Sequence, residues 1–565
     1  GDRRGFIDLF WKGVLLVEQK SLGRDLTLAK EQAFKYFPGI KDADLPRYLL
    51  LSDFQTFELY DLDEDEQVQF ALADLPAQVE TLGFIVGVQK RSFKDQDPVN
   101  IQASELVGRL HDALKDSGYT GDDLELLLVR LVFCLFADDT GIFEPRERFL
   151  ELLETRTRED GSDLGCWLVS LFQTLDTPEA QRQRTLDEDL ARFPFVNGDL
   201  FRDSPRIPAF DASMRRLLLD ACAFDWSQIS PAIFGSLFQS VMDKEQRRKQ
   251  GGHYTTEKNI LKLIEPLFLD ALRAEFATLK ARKDTHRRKM LQDFHRKLGS
   301  LTFFDPACGC GNFLIITYRE LRALEIEVLR ELRAYVDDPR QLMLDAADLS
   351  TVNVDQFYGI EISEFPARIA ETALWMMDHI MNNRLSLEFG QTYVRIPLRQ
   401  SPHIRHGDAL ECDWAELLPP QQCRYILGNP PFVGAKYQSR LQRAQIHRVA
   451  NLGESPGTLD YVSAWFIKAA EYIQPGAAQI GFVATNSITQ GEQVGQLWPV
   501  LFERYGLDIT FAHRTFAWGS DARGKAHVHV VIIGLAKHAT APPERRLFDY
   551  PDLNGEPHES RHQAL

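Results

Sequence analysis

The sequence lacks an unbroken apolar run of about 18 residues, the minimum for a membrane-spanning helix. Its most apolar segment, Leu124–Phe136, contains Arg130 and is therefore typical of a buried helix. No charged-then-apolar leader follows Gly1, so a secretory signal is not expected. Only seven cysteines occur among the 565 residues, and their scattered positions predict reduced thiols in a cytoplasm rather than a disulfide framework.

Positive charge is scarce as well, since the sequence has 65 basic and 82 acidic residues and its net charge is −17. A protein that coats DNA without regard to sequence should be basic, so that class is disfavoured, whereas an enzyme with one local basic face is not. Basic residues cluster in Lys244–Lys249 and Arg282–Lys297, where a solvated helix face is the simpler interpretation. Cys308 and Cys310 lie two residues apart, but no second pair lies at zinc spacing, so zinc is not expected.

The length predicts several domains, because a single core seldom grows beyond about 250–300 residues. Residues 1–63 alternate like strands around one helical segment, Leu26–Phe37, and predict a partial α/β domain. Residues 64–245 show helical spacing almost throughout and predict a helical connector. Residues 246–541 predict a second α/β domain, and the polar residues 542–565 predict the start of a linker.

Short apolar strands recur in the second α/β domain with helical segments between several of them. This alternation predicts a doubly wound, Rossmann-like α/β sheet. The predicted strands are Leu301–Phe304, Gln356–Ile362, Tyr425–Leu427, Gln479–Thr485 and Val528–Leu535.

Four polar motifs occur in a fixed order in this domain, three of them at the ends of these predicted strands and one, Asp408, after an apolar-flanked turn. Gly309 and Gly311 follow the first strand and allow a ligand to approach the backbone closely at a helix N-terminus. Glu361 ends the second strand, where an acid can accept hydrogen bonds from ribose hydroxyls. Asp408 and the Asn429–Phe432 motif come next. Glu361 or Asp408 alone is more often a helix cap or a surface acid, but all four motifs in this order are hard to obtain by chance.

The segments DPACGCGNFL, YGIEI, GDAL and NPPF resemble those of the amino-methylating DNA methyltransferases, which have a class I S-adenosylmethionine-dependent fold. The resemblance implies S-adenosylmethionine as cofactor, with Asp305 at its methionine part, Glu361 at its ribose and Asp408 at its adenine ring. Cys310 stands where the family usually has Ser or Ala, and Asn312 stands where it often has Thr. The further cofactor contacts that the resemblance implies are Tyr254, Thr255, Pro306, Ala307, Gly309, Gly311, Asn312, Phe313, Ile362, Ala409 and Asn429.

The upstream motif Gly251–Thr255 resembles the segment that covers the cofactor in this family. With this motif before the Gly-rich loop and NPPF after it, the order is the one called gamma. That order implies a target-recognition domain after the catalytic domain, and residues 542–565 are predicted to begin the linker to it.

The NPPF motif carries the expected chemistry. The side-chain carbonyl of Asn429 and the backbone carbonyl of Pro430 can accept the hydrogens of an aromatic amine and free its lone pair. Pro430 and Pro431 fix the backbone, and Phe432 offers a flat face to a base that is flipped out of the duplex. Within the family, Asn first and an aromatic residue last favour N6 of adenine over N4 of cytosine.

A later segment, Arg514–Trp518, resembles the family motif whose aromatic residue holds the flipped base. Phe516 is the candidate for that role, and a core aromatic is the alternative. The segment Gly519–Ala526 imitates a phosphate-binding loop. It lacks a Ser or Thr after Lys525 and a strand–loop–helix context, so no ATP site is expected.

The N-terminal domain carries a second candidate site. Phe6–Phe10 and Val14–Lys20 predict a hairpin, which brings Asp8 close to Glu18 and Lys20. Two acids from adjacent strands can chelate Mg²⁺, and a lysine on the same face can orient a water for attack on a phosphate.

The pattern of Asp8, Glu18 and Lys20 resembles the PD-(D/E)xK nucleases, and exposed strand-end charges are the alternative. Gln32 and Tyr36, one helical turn apart, resemble a signature found in part of that superfamily. The resemblance implies an Mg²⁺-dependent endonuclease with Asp8 and Glu18 as metal ligands.

The order of nuclease, helical connector and gamma-order methyltransferase resembles the single-chain Type IIG and IIL restriction–modification enzymes across essentially the whole sequence. That resemblance implies a bacterial or archaeal enzyme that acts on double-stranded DNA with a flipped adenine and involves no membrane.

One alternative is a phage-defence adenine methyltransferase, of the BREX or DISARM kind, without an active nuclease. A protein-glutamine methyltransferase is disfavoured because those chains are short. A non-catalytic DNA-binding scaffold is disfavoured because NPPF and the Gly-rich loop are intact.

Overall fold

The structure is a computed structural model that divides into two compact units, residues 1–93 with 384–392 and residues 94–383 with 393–565. The motif residues Gly251–Tyr254, the basic cluster Lys244–Lys249 and the segment Gly519–Ala526 lie outside the described residues. The described residues are 7–12, 14–22, 26–34, 36, 46, 48–62, 66–78, 82, 85, 96–196, 200–202, 206–229, 255–335, 350–389, 401–451, 458–518, 528–553 and 555–564.

The described part of the first unit contains a five-stranded sheet and the helix α1 (Leu26–Phe34). Its elements are β1 (Leu9–Trp11), β2 (Leu15–Gln19), α1 (Leu26–Phe34), β3 (Tyr48–Ser52), β4 (Thr56–Asp61) and β5 (Glu66–Ala71). The strands lie in chain order; β2 and β3 are parallel across α1, and the other neighbours are antiparallel. The predicted N-terminal hairpin is thereby confirmed. Ala29 and Ala33 of α1 pack on Leu16 and Leu49 of the sheet.

The prediction of helix from residue 64 onward was wrong for Glu66–Ala71, which forms β5. The alternation of Val68 and Phe70 with polar residues has the two-residue period of a strand, and an acidic break directly before it obscured this pattern.

Helices make up the described part between Gln96 and Cys222, as predicted. They are α2 (Gln96–Asp116), α3 (Asp122–Thr140), α4 (Arg148–Arg156), α5 (Leu164–Leu175), α6 (Glu188–Ala191) and α7 (Ala212–Cys222). Arg130 of α3 is fully buried, donates to the Leu200 carbonyl at 2.7 Å and lies against the rings of Phe172 and Phe201. The apolar segment around it is therefore a core helix, as the sequence predicts.

A nine-stranded sheet forms the centre of the methyltransferase-like part, in the order β14-β13-β11-β12-β10-β9-β6-β7-β8. Strands β8, β7, β6, β9 and β10 are parallel, and β12 inserts antiparallel between β10 and β11. This is the predicted Rossmann-like arrangement. The strands are β6 (Phe303–Asp305), β7 (Phe357–Glu361), β8 (His403–His406), β9 (Tyr425–Gly428), β10 (Gln479–Thr485), β11 (Leu507–Trp518), β12 (Val528–Lys537), β13 (Arg545–Asp549) and β14 (His558–His562).

The central strands are apolar on both faces, since helices accompany them on both sides, as is usual for parallel sheets. Phe303 stacks on Phe357 and Tyr425 of the neighbouring strands at 5.2 and 5.5 Å. None of the described helices is both long and apolar enough to cross a membrane. The helices are α8 (Glu257–Ile264), α9 (Asp270–Ala281), α10 (Arg287–Gly299), α11 (Asn312–Arg333), α12 (Glu364–Phe389), α13 (Trp414–Leu417), α14 (Arg440–Ala450), α15 (Ser463–Tyr472) and α16 (Glu492–Pro499).

The prediction of a linker over residues 542–565 was wrong, because β13 and β14 extend the sheet. These edge strands are held by charged side chains as well as by backbone pairing. Arg546 bonds Asp270 of α9 at 2.7 Å and Glu559 of β14 at 2.9 Å. Such a polar composition resembles a linker when only the sequence is read.

Candidate active sites

The carboxyl ends of three parallel strands meet at one edge of the large sheet. Asp305 ends β6, Glu361 ends β7, and Asn429 directly follows β9. The chain reverses its strand order between β6 and β9, and ligands of open α/β sheets bind beside the carboxyl ends at such a point. The three residues that the sequence singled out are thus brought to one place.

The Gly-rich loop between β6 and α11 requires backbone conformations that favour glycine. Gly309 has φ +54°, and Gly311, the residue before α11, has φ +83°. A Cβ at Gly311 would lie 2.8 Å from Cβ of Ala370, whereas a Cβ at Gly309 would meet no protein atom within 4 Å. Gly309 therefore borders open space, and Gly311 is needed for packing.

The carboxylate of Glu361 faces this loop. Its Oε2 accepts the amide of Gly309 and its Oε1 accepts the amide of Ser363, both at 3.0 Å. Burial raises the pKa of Glu361 against the opposing effect of these backbone hydrogen bonds. The side chain is therefore held in place and remains an acceptor for hydroxyl donors.

Asp305 is only 1% exposed and has an incomplete set of partners. Its Oδ1 accepts the amide of Ala307 at 3.0 Å, while its Oδ2 is buried without a hydrogen-bond partner. Burial raises the pKa of this carboxyl to about 8. Gly428, at φ +150°, leaves the space for it, since a Cβ there would collide with the carboxylate. A cationic ligand group beside Oδ2 would satisfy this oxygen, so the site fits the amino group of S-adenosylmethionine.

The other predicted cofactor residues line the same loops in different degrees of exposure. Ile362 is 59% exposed, whereas Phe313 and Ala409 are buried in the core. The carbonyl of Pro306 accepts the indole of Trp465 at 3.2 Å, and Oδ1 of Asn312 is buried without a partner.

Asp408 follows β8 and is held by a residue that the sequence reasoning missed. Its Oδ1 accepts the amide of Leu410 at 2.9 Å, and its Oδ2 accepts Nε2 of Gln445 at 2.7 Å. Gln445 is a buried residue of α14, and its Oε1 accepts the hydroxyl of Tyr461 at 2.5 Å. No local motif marks Gln445, which lies 37 positions beyond Asp408.

Asn429 presents an unsatisfied acceptor. Its Nδ2 donates to Oγ1 of Thr255 at 3.2 Å, and its Oδ1 is buried without a hydrogen-bond partner. Because the amide nitrogen is held by the hydroxyl, the oxygen is the atom left for a ligand. Thr255 belongs to the predicted upstream motif, so the structure joins that motif to NPPF.

The rest of the NPPF loop is fixed by Asp460, a second residue that the sequence reasoning missed. Asp460 Oδ1 accepts the amide of Val433 at 3.2 Å, and the amide of Tyr461 donates to the carbonyl of Val433 at 3.0 Å. Phe432 is partly buried and packs against the core beside this loop. The loop that follows Pro430 and Pro431 is thus rigidly anchored.

The structure buries Phe516. It is 1% exposed, stacks on Tyr550 at 4.8 Å and lies beneath Nζ of Lys262 at 4.5 Å. This environment favours the core-aromatic alternative that the sequence left open.

The N-terminal candidate residues also lie together. Asp8 directly precedes β1, and its Oδ2 accepts the amide of Gln19 at 2.6 Å. Lys20 donates to Oε1 of Glu18 at 2.6 Å and to Oε1 of Gln32 at 2.9 Å. Nε2 of Gln32 in turn donates to the hydroxyl of Tyr36 at 2.7 Å.

These contacts leave one carboxylate oxygen of Glu18 without a partner. Glu18 is buried, and its Oε2 has no hydrogen-bond partner, which fits a carboxylate that awaits a cation. Among the described residues, no group of three or more His, Cys, Asp or Glu side chains is placed to hold a metal ion.

Three family profiles match the chain. They are described as MmeI, N-terminal domain (residues 1–117), MmeI, helicase spacer domain (122–201), and MmeI, DNA-methyltransferase domain (280–549). DNA methyltransferase A of Bacillus subtilis (strain 168) is 38% identical over 498 residues, which cover 87% of this chain and 55% of that protein.

A putative type II restriction enzyme and methyltransferase of Methanocaldococcus jannaschii is 25% identical over 299 residues, covering 44% of this chain and 24% of that one. Among solved structures, the Type IIL restriction–modification enzyme MmeI in complex with DNA is 53% identical with a TM-score of 0.76. That match covers 82% of this chain and 60% of the MmeI chain. The chain thus spans 55% of the Bacillus subtilis protein, 24% of the Methanocaldococcus jannaschii protein and 60% of the MmeI chain.

Proposed function

Because the chain belongs to the MmeI family through its N-terminal, spacer and methyltransferase domains, we propose that it methylates N6 of adenine in double-stranded DNA. We further propose that its N-terminal domain is an Mg²⁺-dependent endonuclease. The observation that carries the first proposal is the buried, unpartnered Oδ1 of Asn429, whose Nδ2 is tied to Thr255.

S-adenosylmethionine would supply an electrophilic methyl group. Asp305 would bind its amino group, because Oδ2 lacks a partner, and Glu361 would accept its ribose hydroxyls. Asp408 would accept the amine of its adenine ring. Gly309 would let the ligand approach the loop without meeting a side chain.

Asn429 would act on the target amine. An exocyclic adenine amine is a poor nucleophile, since its lone pair is conjugated with the ring. When Oδ1 of Asn429 and the carbonyl of Pro430 accept its two hydrogens, the nitrogen moves toward tetrahedral geometry and the lone pair becomes available. Thr255 prevents the Asn429 amide from rotating, so the acceptor is oriented before the base arrives.

The nuclease proposal rests on the contacts among Glu18, Lys20, Gln32 and Tyr36. Asp8 and Glu18 would hold Mg²⁺, which would neutralise phosphate charge, while Lys20 orients a water. The intact set favours an active nuclease over the phage-defence alternative, which would tolerate its loss.

The first experiment is incubation of the protein with plasmid DNA, Mg²⁺ and S-adenosylmethionine. Methylated bases are identified by mass spectrometry and strand breaks by gel electrophoresis. N6-methyladenine together with breaks supports both proposals. N4-methylcytosine alone contradicts the adenine assignment, and N6-methyladenine without breaks leaves the phage-defence alternative.

A further inference from the structure

An acid-free segment surrounds the Asn429–Phe432 motif in this acidic chain. With 82 acidic residues among 565, a carboxylate occurs about once in seven positions, yet none occurs between Leu417 and Gly453. The stretch contains Asn429–Phe432 and continues through α14. The absence of acids therefore coincides with the part of the chain that would lie next to the substrate.

Three basic side chains in this stretch are available to a ligand. Lys436, Arg440 and Arg443 are exposed, and none of them forms an ion pair with a described residue. Arg443 donates to the carbonyl of Ala435 at 3.4 Å, within the same segment. Arg448 differs, because it pairs with Glu411 at 2.6 Å.

Two large apolar side chains stand out among the basic ones. Tyr437 is 86% exposed, the highest value among the large hydrophobic residues described, and Leu441 is 65% exposed. Single exposed apolar side chains are common on protein surfaces, but these two lie among basic side chains that have no acidic neighbours in the sequence.

The turn that presents Tyr437 is rigid. The amide of Tyr437 donates to the carbonyl of Gly434 at 2.8 Å. Next to it, the buried Gln438 donates to the carbonyls of Val433 at 2.9 Å and Leu459 at 2.8 Å. Ser439 then caps α14 and forms a capping box with Gln442. The aromatic ring is thus held away from the core by backbone that is bonded to the catalytic loop.

We propose that Lys436, Arg440 and Arg443 bind the phosphates of the DNA duplex beside the target base, and that Tyr437 stacks on the bases next to the flipped one. The inference rests on the proposed DNA substrate and adds the residues that contact it. Cations without acidic neighbours attract a polyanion, and an exposed aromatic ring can replace the stacking that a flipped base gives up. It also accounts for DNA binding by a chain whose net charge is −17.

The phosphate contacts are tested by fluorescence anisotropy with a labelled DNA duplex of mixed sequence at several salt concentrations. The variant K436Q/R440Q/R443Q is compared with K283Q/R288Q/K289Q, which removes the same charge from exposed residues in and beside α10. The logarithm of the DNA association constant falls as the logarithm of the salt concentration rises. The first variant should make this negative slope less steep by about three, and the second should leave it unchanged. Equal effects of the two variants, or no effect of the first, would overturn the phosphate contacts.

The stacking role is tested with Tyr437→Ala and Tyr437→Phe in methyl transfer to plasmid DNA. Tyr437→Ala should raise KM for DNA by about tenfold, whereas Tyr437→Phe keeps the ring and should retain the wild-type value. Cofactor affinity measured by calorimetry should not change in either. An equal KM in all three proteins would refute stacking. Absence of methyl transfer by the wild type would instead refute the proposed function, while the anisotropy experiment would still decide the phosphate contacts.

Discussion

Gln445 donates a 2.7 Å hydrogen bond from Nε2 to Oδ2 of Asp408, and the two residues are joined across 37 positions of the chain. The same nitrogen reaches Oε1 of Glu411 at 2.8 Å, and Tyr461 donates to Oε1 of Gln445. Every polar atom of the Gln445 side chain is therefore engaged, and Asp408 has one orientation. Gln445 is a positioning residue for the carboxylate proposed to bind the adenine ring of the cofactor.

Gln445→Leu should weaken S-adenosylmethionine binding by about tenfold, because Asp408 loses a charge-assisted hydrogen bond that fixes it. The diagnostic is a pair of ligands, S-adenosylhomocysteine and its inosine counterpart, measured by calorimetry. The wild type should prefer the adenine form, and Gln445→Leu should lose much of that preference. If Gln445 had a purely structural role, Gln445→Leu would weaken the binding of both ligands equally.

Asn429→Ala should lower methyl transfer by at least about 100-fold, since it removes an oriented acceptor that acts in the transition state. Cofactor affinity should stay close to that of the wild type. Thr255→Val is the companion variant, because it keeps the volume and removes only the hydroxyl that holds Nδ2. It should lower kcat less than Asn429→Ala does. Unchanged methylation by Asn429→Ala would contradict the catalytic assignment.

Gly309 and Gly311 should respond differently to substitution, although both have positive φ. Gly309→Val places its side chain in open space in front of the loop but strains the backbone at φ +54°, so it should bind the cofactor at least about tenfold more weakly and also lose some thermal stability. Gly311→Ala collides with Ala370 and should lower the melting temperature. Calorimetry and thermal unfolding of both variants separate the two effects, and normal affinity in Gly309→Val would exclude that loop as the cofactor cradle.

The sequence predicted strands β6, β7, β9, β10 and β12 because their apolar runs are short and continuous. Strands β8 and β11 were not predicted, although β8 leads to Asp408 and β11 carries Phe516. The edge strands β5, β13 and β14 were missed, since their polar residues give no apolar run. Asp305, Glu361 and Asn429 could be placed at one sheet edge from strand order alone. The contacts of Gln445 and Asp460 could not, because they depend on how helices pack between distant segments. The resemblance to single-chain restriction–modification enzymes is confirmed by the family and structural matches.

Asp305→Asn should stabilise the cofactor-free protein at pH 8 while weakening cofactor binding. Burial raises the pKa of Asp305 to about 8, above its unfolded value of about 3.9. Between these values the folded state holds a proton that the unfolded state has released, so folding stability falls as pH rises. Asn does not ionise, so the variant does not lose folding stability as the pH rises. Its melting temperature should exceed that of the wild type by about 2–4 °C at pH 8, with no gain below about pH 4. A gain that is the same at both pH values would contradict the burial of an ionisable group.

The same carboxyl predicts the pH dependence of cofactor binding. The ionised form of Asp305 is the one that attracts an ammonium group, so wild-type affinity for S-adenosylhomocysteine should increase from pH 6 toward pH 8. Calorimetry over this range measures it. Asp305→Asn should be weaker throughout and nearly independent of pH, whereas equal pH profiles would show that another group binds the cofactor's amine.

Lys20→Met should lower the rate of plasmid cleavage at least about 100-fold and spare methylation. The reason is that the Lys20 ammonium bonds Glu18 and Gln32 of the N-terminal candidate site. Tyr36→Phe offers a graded comparison, since it removes the hydroxyl that accepts the Gln32 amide and leaves the Lys20–Glu18 pair intact. It should slow cleavage less than Lys20→Met. Cleavage and methylation are measured on the same plasmid, and thermal unfolding shows whether each variant is folded. Parallel loss of both activities in a folded Lys20→Met protein would assign Lys20 a role outside a separate nuclease. Full cleavage by that variant would remove Lys20 from the reaction and leave the contacts among Glu18, Lys20 and Gln32 with a structural role only.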